Sequence, residues 1–313
     1  MGFGPQRVDL TNDGIADIIS GSYPGEIYLF AGKEDGTYAK SVALRNKHGK
    51  KINAGRAAAV CVADWDRDGD LDLVIGNIDG MVCFITNEGA EGRTIFGDPV
   101  WLDVAGKTIK MPGRNTGPCV ADWDQDGHPD LVVGSGDGSV VFYRNTASQG
   151  MPSLAAGVEL LASTRNYGTR GAKKNLDRSG RGFRAKVHVV DWNEDGRLDI
   201  LVGDYASRVG KAPTLTEEQK ADRDRLQEEQ KATTRSFMEV FKKLQAKFEA
   251  EHGSVRDAPR DRAKELRKIW FKMTREHPDY ARINKKRAEI SKKLRAYLPP
   301  RTSHGHVWAY LHK

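Results

Sequence analysis

Oxygen-bearing side chains recur at fixed spacing in four nine-residue segments of this chain. Each segment has such a side chain at positions 1, 3, 5 and 9 and a glycine at position 6. Carboxylates this close together repel one another unless a cation lies among them. Calcium prefers oxygen ligands, and a loop that offers them at odd positions, with glycine at position 6 for a sharp turn, can wrap around the ion. The residues concerned are Asp9, Thr11, Asp13 and Asp17; Asp64, Asp66, Asp68 and Asp72; Asp122, Asp124, Asp126 and Asp130; and Asp191, Asn193, Asp195 and Asp199.

The four segments are not equivalent as calcium ligands. The second and third have an aspartate at all four ligand positions, whereas position 3 is Thr11 in the first and Asn193 in the fourth. Because affinity for calcium follows the charge of the ligands, the first and fourth sites should be the weaker ones. The sequence thus predicts up to four structural calcium ions of unequal affinity.

The elements that must position these residues also repeat. Each segment runs into a short apolar stretch that ends in glycine, at Gly21, Gly76, Gly134 and Gly203. In the first three copies a second glycine follows four residues later and begins another apolar stretch. The copies start 55, 58 and 69 residues apart. Periods of this size, built from several short strands, are typical of a β-propeller or a similar repeat array.

An EF-hand is the obvious alternative for an acidic loop with a central glycine. That motif requires a bidentate glutamate at position 12 and a helix on either side. Position 12 is Ser20, Ile75, Val133 or Val202, and the flanking residues are β-branched and apolar. The segments are therefore expected to join strands.

The combined pattern of loop, apolar stretch and second strand resembles the FG-GAP, or VCBS, repeat over residues 1 to about 210 and the last ten residues. The resemblance implies an all-β fold, a β-propeller of about four blades, whether complete or incomplete. It also implies calcium held by the side chains at positions 1, 3, 5 and 9 and by a backbone carbonyl at position 7. Proteins of this family are usually extracytoplasmic, so the same location is expected here. Residues 1–5 lack the basic and apolar regions of a signal peptide.

Residues 214–300 depart from the repeat pattern and predict an α-helical hairpin. Thr216 begins a capping box, and apolar residues follow at helical spacing. Residues 252–254 should end the first helix, Pro278 should kink or interrupt the second, and Pro299 with Pro300 should end it. Residues 305–310 then have the form of the second strand that the fourth repeat otherwise lacks. The predicted domains are 1–213 for the repeats, 214–300 for the inserted hairpin and 301–313 for a strand that completes the last blade.

The positive charge of the chain is concentrated in this insertion. Residues 214–300 contain 23 Lys and Arg against 15 Asp and Glu, whereas the whole chain has 50 against 43. A basic arm of this kind could meet an anionic surface, or it could be a solvated helical face with internal ion pairs. No recognised nucleic-acid motif accompanies the charge, which disfavours nucleic acid as the partner. A second basic stretch, residues 165–186, is rich in glycine and is expected to form a long loop.

Two recurring residue types are expected to serve packing. Trp65, Trp123 and Trp192 share position 2 of the segments and should lie between blades. Cys61 and Cys119 share the site three residues before the first aspartate, and together with Cys83 they fit small buried residues better than a disulfide framework.

The function expected from these features is non-enzymatic. The chain should be a calcium-stabilised scaffold that binds a protein or glycan ligand or serves in adhesion, and no apolar run is long enough to span a membrane. The alternative is a propeller-fold polysaccharide lyase or hydrolase with its site in the central channel. The most suggestive cluster for such chemistry is His188, His304 and His306, which the repeat pattern would bring near one another and which could bind zinc.

Overall fold

Four antiparallel sheets, one for each repeat, dominate the computed structural model, which describes residues 4–89, 94–164, 180–255 and 258–312. In each of the first three sheets four consecutive strands pair in chain order. A separate two-stranded hairpin follows the second sheet. The strands of the first three sheets and the hairpin are β1 Gln6–Val8, β2 Asp17–Gly21, β3 Ile27–Phe30, β4 Val42–Ala43, β5 Ala59–Ala63, β6 Asp72–Gly76, β7 Val82–Ile85, β8 Val100–Trp101, β9 Asp103–Val104, β10 Lys107–Thr108, β11 Gly117–Ala121, β12 Asp130–Gly134, β13 Val140–Tyr143 and β14 Val158–Leu161.

The fourth sheet is built from β15 Phe183–Val190, β16 Asp199–Val209, β17 Arg301–His304 and β18 Val307–Tyr310. Strand β18 pairs with β16 in the register that β3 makes with β2, so that Tyr310 opposes Ile200 as Phe30 opposes Ile18. Residues 307–310 therefore pair with β16 as a second strand pairs in the other sheets. Because β17 and β18 both pair with β16, this sheet is only three strands wide where the others have four.

Each acidic segment joins the first strand of its sheet to the second, and its ninth residue is the first residue of that second strand. This confirms that the segments connect strands and not helices. The two strands are locked in register beside the loop, with Val8 opposite Asp17 and Ala63 opposite Asp72. The loop ends are therefore fixed by sheet hydrogen bonds, which limits how far the acidic side chains can separate.

Hydrophobic cores lie between successive sheets. One cluster joins the first and second sheets, a second joins the second and third, and a third joins the third and fourth. Among the described residues no such cluster joins the fourth sheet to the first. The structure thus establishes a mostly β fold of antiparallel sheets, without a sheet pairing that closes a ring in the described part of the chain.

In the first three sheets the glycine that ends the second strand lets the next repeat approach closely. A Cβ at Gly134 would lie 2.5 Å from the carbonyl oxygen of Ala185, in the first strand of the next sheet. At Gly203, in the fourth sheet, the nearest atom would be 3.7 Å away, which is ordinary contact. The recurrence of this glycine therefore follows from packing between backbones.

Two of the three tryptophans at position 2 of the acidic segments pack against the next repeat, as expected, and the third does not. Trp65 is buried and its indole N–H donates to the Pro129 carbonyl in the next acidic loop at 2.8 Å. Trp123 stacks on His312 of the fourth repeat, with ring centroids 4.9 Å apart. Trp192 is 62% exposed, so the expectation that it lies between blades is wrong. Trp65 and Trp123 each contact the repeat that follows, and among the described residues no repeat follows the fourth.

The helical region forms a compact unit of its own, residues 208–302, while residues 1–207 and 303–313 form the other. Its helices are α1 Glu217–His252, α2 Arg260–Glu276 and α3 Pro278–Leu294, followed by a 3₁₀ turn at Arg295–Tyr297. The predicted capping box is present at Thr216, and α1 ends where expected, at His252. Pro278 interrupts the second helical stretch by starting α3. Helix α1 packs mainly on α3, and Leu226, Ile290 and Leu294 are buried between them.

The second basic stretch lies mostly outside the described residues, which omit 165–179. Its end was wrongly expected to be loop, because residues 183–186 belong to β15 and pair with β16. No helix in the described ranges is both long enough and apolar enough to cross a membrane.

Candidate metal centre

The four acidic loops share one backbone conformation. The residue at position 4 has a positive φ in every copy: 56° at Asn12, 64° at Arg67, 58° at Gln125 and 60° at Glu194. The glycine at position 6 also has a positive φ, between 84° at Gly14 and 97° at Gly69. This conformation turns the N–H of that glycine onto the carboxylate at position 1, at 2.8 Å for Gly14 and Asp9. Glycine is favoured at position 6 because it adopts positive φ without strain.

The aspartate at position 9 anchors each loop from within. All four of these side chains are fully buried. One oxygen accepts the N–H of position 2, at 3.0 Å for Asp72 and Trp65. The other accepts, at 2.8 Å in every copy, the N–H of a residue just after the neighbouring strand. Those four donors are Gly32, Asn87, Asn145 and His312.

The carboxylates of the second and third loops converge. Asp64, Asp66 and Asp72 each place one oxygen within 4.8 Å of the others, and Asp122, Asp124 and Asp130 do the same. Oxygens that share a calcium ion at about 2.4 Å cannot be more than about 4.8 Å apart. These two groups therefore have the spacing that a single calcium ion requires.

Two oxygens in these groups are buried without a partner. Asp64 Oδ1 and Asp122 Oδ1, both from position 1, have no hydrogen-bond donor in the described structure. A buried carboxylate oxygen without a donor is costly, and a cation would satisfy it. The donor set and these two atoms together fit calcium, a hard ion that takes oxygen ligands.

Burial makes the ionised form of these carboxylates energetically unfavourable when no cation is present. It raises the pKa of Asp72 to about 7 and the pKa of Asp130 to about 6. Burial also raises the pKa of Asp66, and the neighbouring charge of Asp68 adds to the effect. Both causes disfavour the ionised form. The groups are thus arranged so that ionisation is favourable mainly when positive charge is present.

The first and fourth loops lack a group of three convergent carboxylates. In the first loop Thr11 Oγ1 is buried without a partner, so a neutral oxygen lies where the second and third loops have a carboxylate. In the fourth loop the amide of Asn193 donates to Asp195 Oδ2 at 3.0 Å. The backbone geometry is retained in both, but the charge is lower.

Position 5 does not join the convergent groups. Asp68 is exposed, and its Oδ1 accepts the Asp70 N–H at 2.9 Å. In the third loop Arg144 contacts Asp126 at 2.6 Å and Asp124 at 2.9 Å. This guanidinium holds the pKa of Asp126 below its usual range. Arg144 was not predicted, because its counterpart in the second repeat is Thr86 and no repeating pattern marks it.

The predicted histidine cluster does not form. His304 and His306 are neighbours, with ring centroids 6.1 Å apart, but His188 contacts Cys119. The three imidazoles are all described, and they do not gather into one ligand set. The reason is that His188 lies on β15, opposite Leu201, whereas His306 lies beside Asp204 further along β16.

Comparison with known proteins identifies the repeat. A family model described as an FG-GAP-like repeat matches residues 9–75, 64–133 and 122–202, so each match runs from one acidic segment through the next apolar strand. Cartilage acidic protein 1 of Xenopus tropicalis is 27% identical over 200 residues, which are 62% of this chain and 27% of that protein. Integrin alpha-4 of Xenopus laevis is 26% identical over 212 residues, which are 61% of this chain and 18% of that protein.

A solved Agrocybe aegerita lectin that recognises non-reducing terminal N-acetylglucosamine matches 64% of this chain and 48% of its own, at 18% identity and a TM-score of 0.37. That score is too low to add to the fold description. The chain spans about a quarter of the cartilage protein and less than a fifth of the integrin subunit. The three overlapping repeat matches cover well over half of the sequence, and the chain therefore belongs to the FG-GAP-like repeat family.

Proposed function

We propose that this chain is a calcium-stabilised, non-enzymatic binding or adhesion module built from β-propeller blades. Asp64, Asp66 and Asp72 would hold one ion, and Asp122, Asp124 and Asp130 a second. Asp68 and Asp126 would join them through small side-chain movements at position 5. The first and fourth loops would bind calcium more weakly.

The convergent carboxylates with a buried, unpartnered oxygen carry this proposal. In the second loop three side chains with like charge meet within 4.8 Å, and Asp64 Oδ1 has no donor. Folding brings these charges together at a cost, and burial of Asp72 increases it. A bound calcium ion would replace the repulsion among these carboxylates by attraction to the ion, and it would connect both ends of the loop.

The propeller arrangement is supported by a cavity of about 330 Å³. Its lining comes from the first strand of each of the four sheets, β1, β5, β11 and β15. Propeller blades place their innermost strands around a central channel in this way. We propose that the closed form has about four blades, one for each repeat.

The adhesion or scaffold role is supported by the relatives, whose names include an integrin subunit and a cartilage protein. The ligand would be a protein or a glycan. We place the protein outside the cytoplasm, where calcium is abundant enough for sites of moderate affinity. The acidic side chains would be engaged by metal, which leaves them poorly suited to acid–base catalysis.

Thermal unfolding with and without a chelator tests the structural role of calcium. An ion that binds only the folded state stabilises it by about 2.7 kcal/mol at a concentration 100 times its Kd. Two such sites should lower the melting temperature by several degrees or more when EDTA removes the metal, and added calcium should restore it. An unchanged melting temperature in EDTA would refute the proposal.

The excess of basic residues favours a second binding surface on the helical unit. Several exposed basic side chains pair with acids three residues away, as Lys231 does with Glu228 at 2.6 Å. The 23 basic residues of 214–300 nevertheless outnumber its 15 acidic ones. We propose that this surface binds a polyanionic glycan. Retention on heparin that weakens with salt would support this, and a chain lacking 214–300 should lose it; passage through the column at low salt would contradict it.

A further inference from the structure

The cavity lined by β1, β5, β11 and β15, here called the axial cavity, is bordered by four residues that occupy the same position in the four repeats. Each lies three residues before the first aspartate of its acidic loop. They are Gln6, Cys61, Cys119 and His188, and all four line the cavity of about 330 Å³. The same position thus supplies two thiols and an imidazole to one cavity.

The two cysteines are in contact across the boundary between the second and third sheets. The N–H of Val120, the residue next to Cys119, donates to Cys61 Sγ at 3.4 Å. The two thiols also lie close enough to shift each other's pKa, and Cys119 and His188 do the same. Cys61 and Cys119 are free and largely buried, while His188 is exposed. The pair therefore has a neighbouring base that reaches solvent.

The surroundings of the two thiols shift their pKa values in opposite directions. The hydrogen bond from Cys61, followed by the contact with His188, lowers the pKa of Cys119. The same pairing raises the pKa of Cys61. The third cysteine, Cys83, is fully buried within its sheet, and burial raises its pKa to about 12. Since the thiolate is the reactive form, Cys119 should react first and Cys83 should be inert.

We propose that Cys61 and Cys119 form a reversible redox pair, with His188 as its base, that links the second and third repeats by a disulfide in the axial cavity. The partner in the reaction is a low-molecular-weight disulfide such as oxidised glutathione. The inference does not depend on calcium, because none of these residues belongs to an acidic loop.

The chemistry is a pair of thiol–disulfide exchanges. The Cys119 thiolate attacks one sulfur of the small disulfide, a mixed disulfide forms, and the other half leaves as a thiolate. Cys61 then gives its proton to the departed small thiolate and attacks Cys119 Sγ. The second small group leaves as a thiolate and takes the proton that His188 had accepted from Cys119. The two protein thiols are oxidised, one external disulfide is reduced to two thiols, and no other reactant is needed.

A metal ion is the competing occupant of this cluster. Two cysteines and a histidine are a common zinc ligand set. The described residues contain two groups of three convergent ligands, however, and both are carboxylate groups of the acidic loops. The cavity cluster is not among them, so its ligand atoms are too far apart to share one ion. A thiol pair needs only its two sulfurs to meet.

Mass spectrometry of the full, calcium-loaded protein tests the proposal. The native protein is incubated with oxidised glutathione at pH 7. It is then unfolded in the presence of iodoacetamide, so that every remaining free thiol is blocked, the buried Cys83 included, and the protein is digested. The expected product is a peptide pair linked through Cys61 and Cys119, with Cys83 blocked by iodoacetamide. A link that involves Cys83, or native protein in which all three cysteines remain free, would overturn the proposal.

Two variants separate the attacking thiol from the resolving one. In Cys61→Ser the reaction should stop at a stable mixed disulfide on Cys119. In His188→Gln alkylation of Cys119 by iodoacetamide at pH 7 should slow by about tenfold, because less thiolate is present. Equal alkylation rates with and without His188 would refute its role. In the unchanged protein Cys119 should be alkylated faster than Cys83, and equal rates would overturn the assignment of Cys119 as the attacking thiol.

Discussion

Replacing Asp66 by asparagine should change stability in opposite directions with and without calcium. The substitution gives the second loop the neutral oxygen that the fourth loop has at Asn193. It preserves the size of the side chain and an oxygen that can accept the Asp68 N–H, at 3.3 Å in the structure. What it removes is one negative charge from a group of three within 4.8 Å.

The expected magnitudes follow from charge. In EDTA the loss of one repulsive neighbour should stabilise the variant by roughly 1 kcal/mol, the interaction of unit charges about 4 Å apart in a highly screened site. In calcium the weaker donor set should raise the Kd about tenfold, which costs about 1.4 kcal/mol. Set against the gain of about 1 kcal/mol in the calcium-free fold, this leaves a net loss of about 0.4 kcal/mol in calcium, a decrease of about 1–2 °C in melting temperature for a domain of this size.

The assay is thermal unfolding followed by circular dichroism in saturating calcium and in EDTA. Asp70→Asn is the matched control, since it removes the same charge from the same loop at position 7, where the expected ligand is the backbone carbonyl. Asp70 is not part of the convergent group. Equal destabilisation of Asp66→Asn in both conditions would refute the reasoning, because a purely structural role predicts no dependence on metal.

Three further outcomes follow from the same structure. Calcium affinity should fall as pH decreases from 8 to 6, because Asp72, whose pKa is raised to about 7, holds a proton in this range that the metal must displace; calcium titrations that give one affinity across this range would contradict it. Arg144→Thr, which copies the second repeat, should tighten the third site, since the guanidinium at 2.6 Å from Asp126 competes with the ion; calorimetry showing weaker binding would indicate that Arg144 supports the loop. Gly134→Ala should lower the free energy of unfolding by about 1–3 kcal/mol, whereas Gly203→Ala, with 3.7 Å of clearance, should have little effect; equal denaturation midpoints would disprove close packing at Gly134.

Much of the architecture was predictable because the chain repeats. The acidic segments and their glycines indicated where strands begin and end, and the separation of Gly203 from Gly305 indicated where the helices interrupt the fourth repeat. The capping box at Thr216 likewise located the start of α1. These features are local, or recur at a fixed distance along the chain, and local patterns are visible in a single sequence.

Features that depend on contacts between repeats were not predictable. Trp192 has the same local context as Trp65, and its exposure depends on whether another repeat lies beside it. The ion pairs of Arg144 and the separation of His188 from His306 depend on the lateral placement of strands within and between sheets. The donors to the position 9 aspartates were partly visible, since Asn87 and Asn145 both lie 15 residues after that aspartate.

The central claim, that the acidic loops bind calcium, is tested most directly by equilibrium dialysis of the folded protein against radioactive calcium. The two convergent carboxylate groups predict two tight sites, and the two weaker loops predict further binding at higher concentration. Asp64→Ala combined with Asp122→Ala should abolish the tight class and leave the weak one. Failure to retain calcium, or an unchanged tight class in the double variant, would contradict the account.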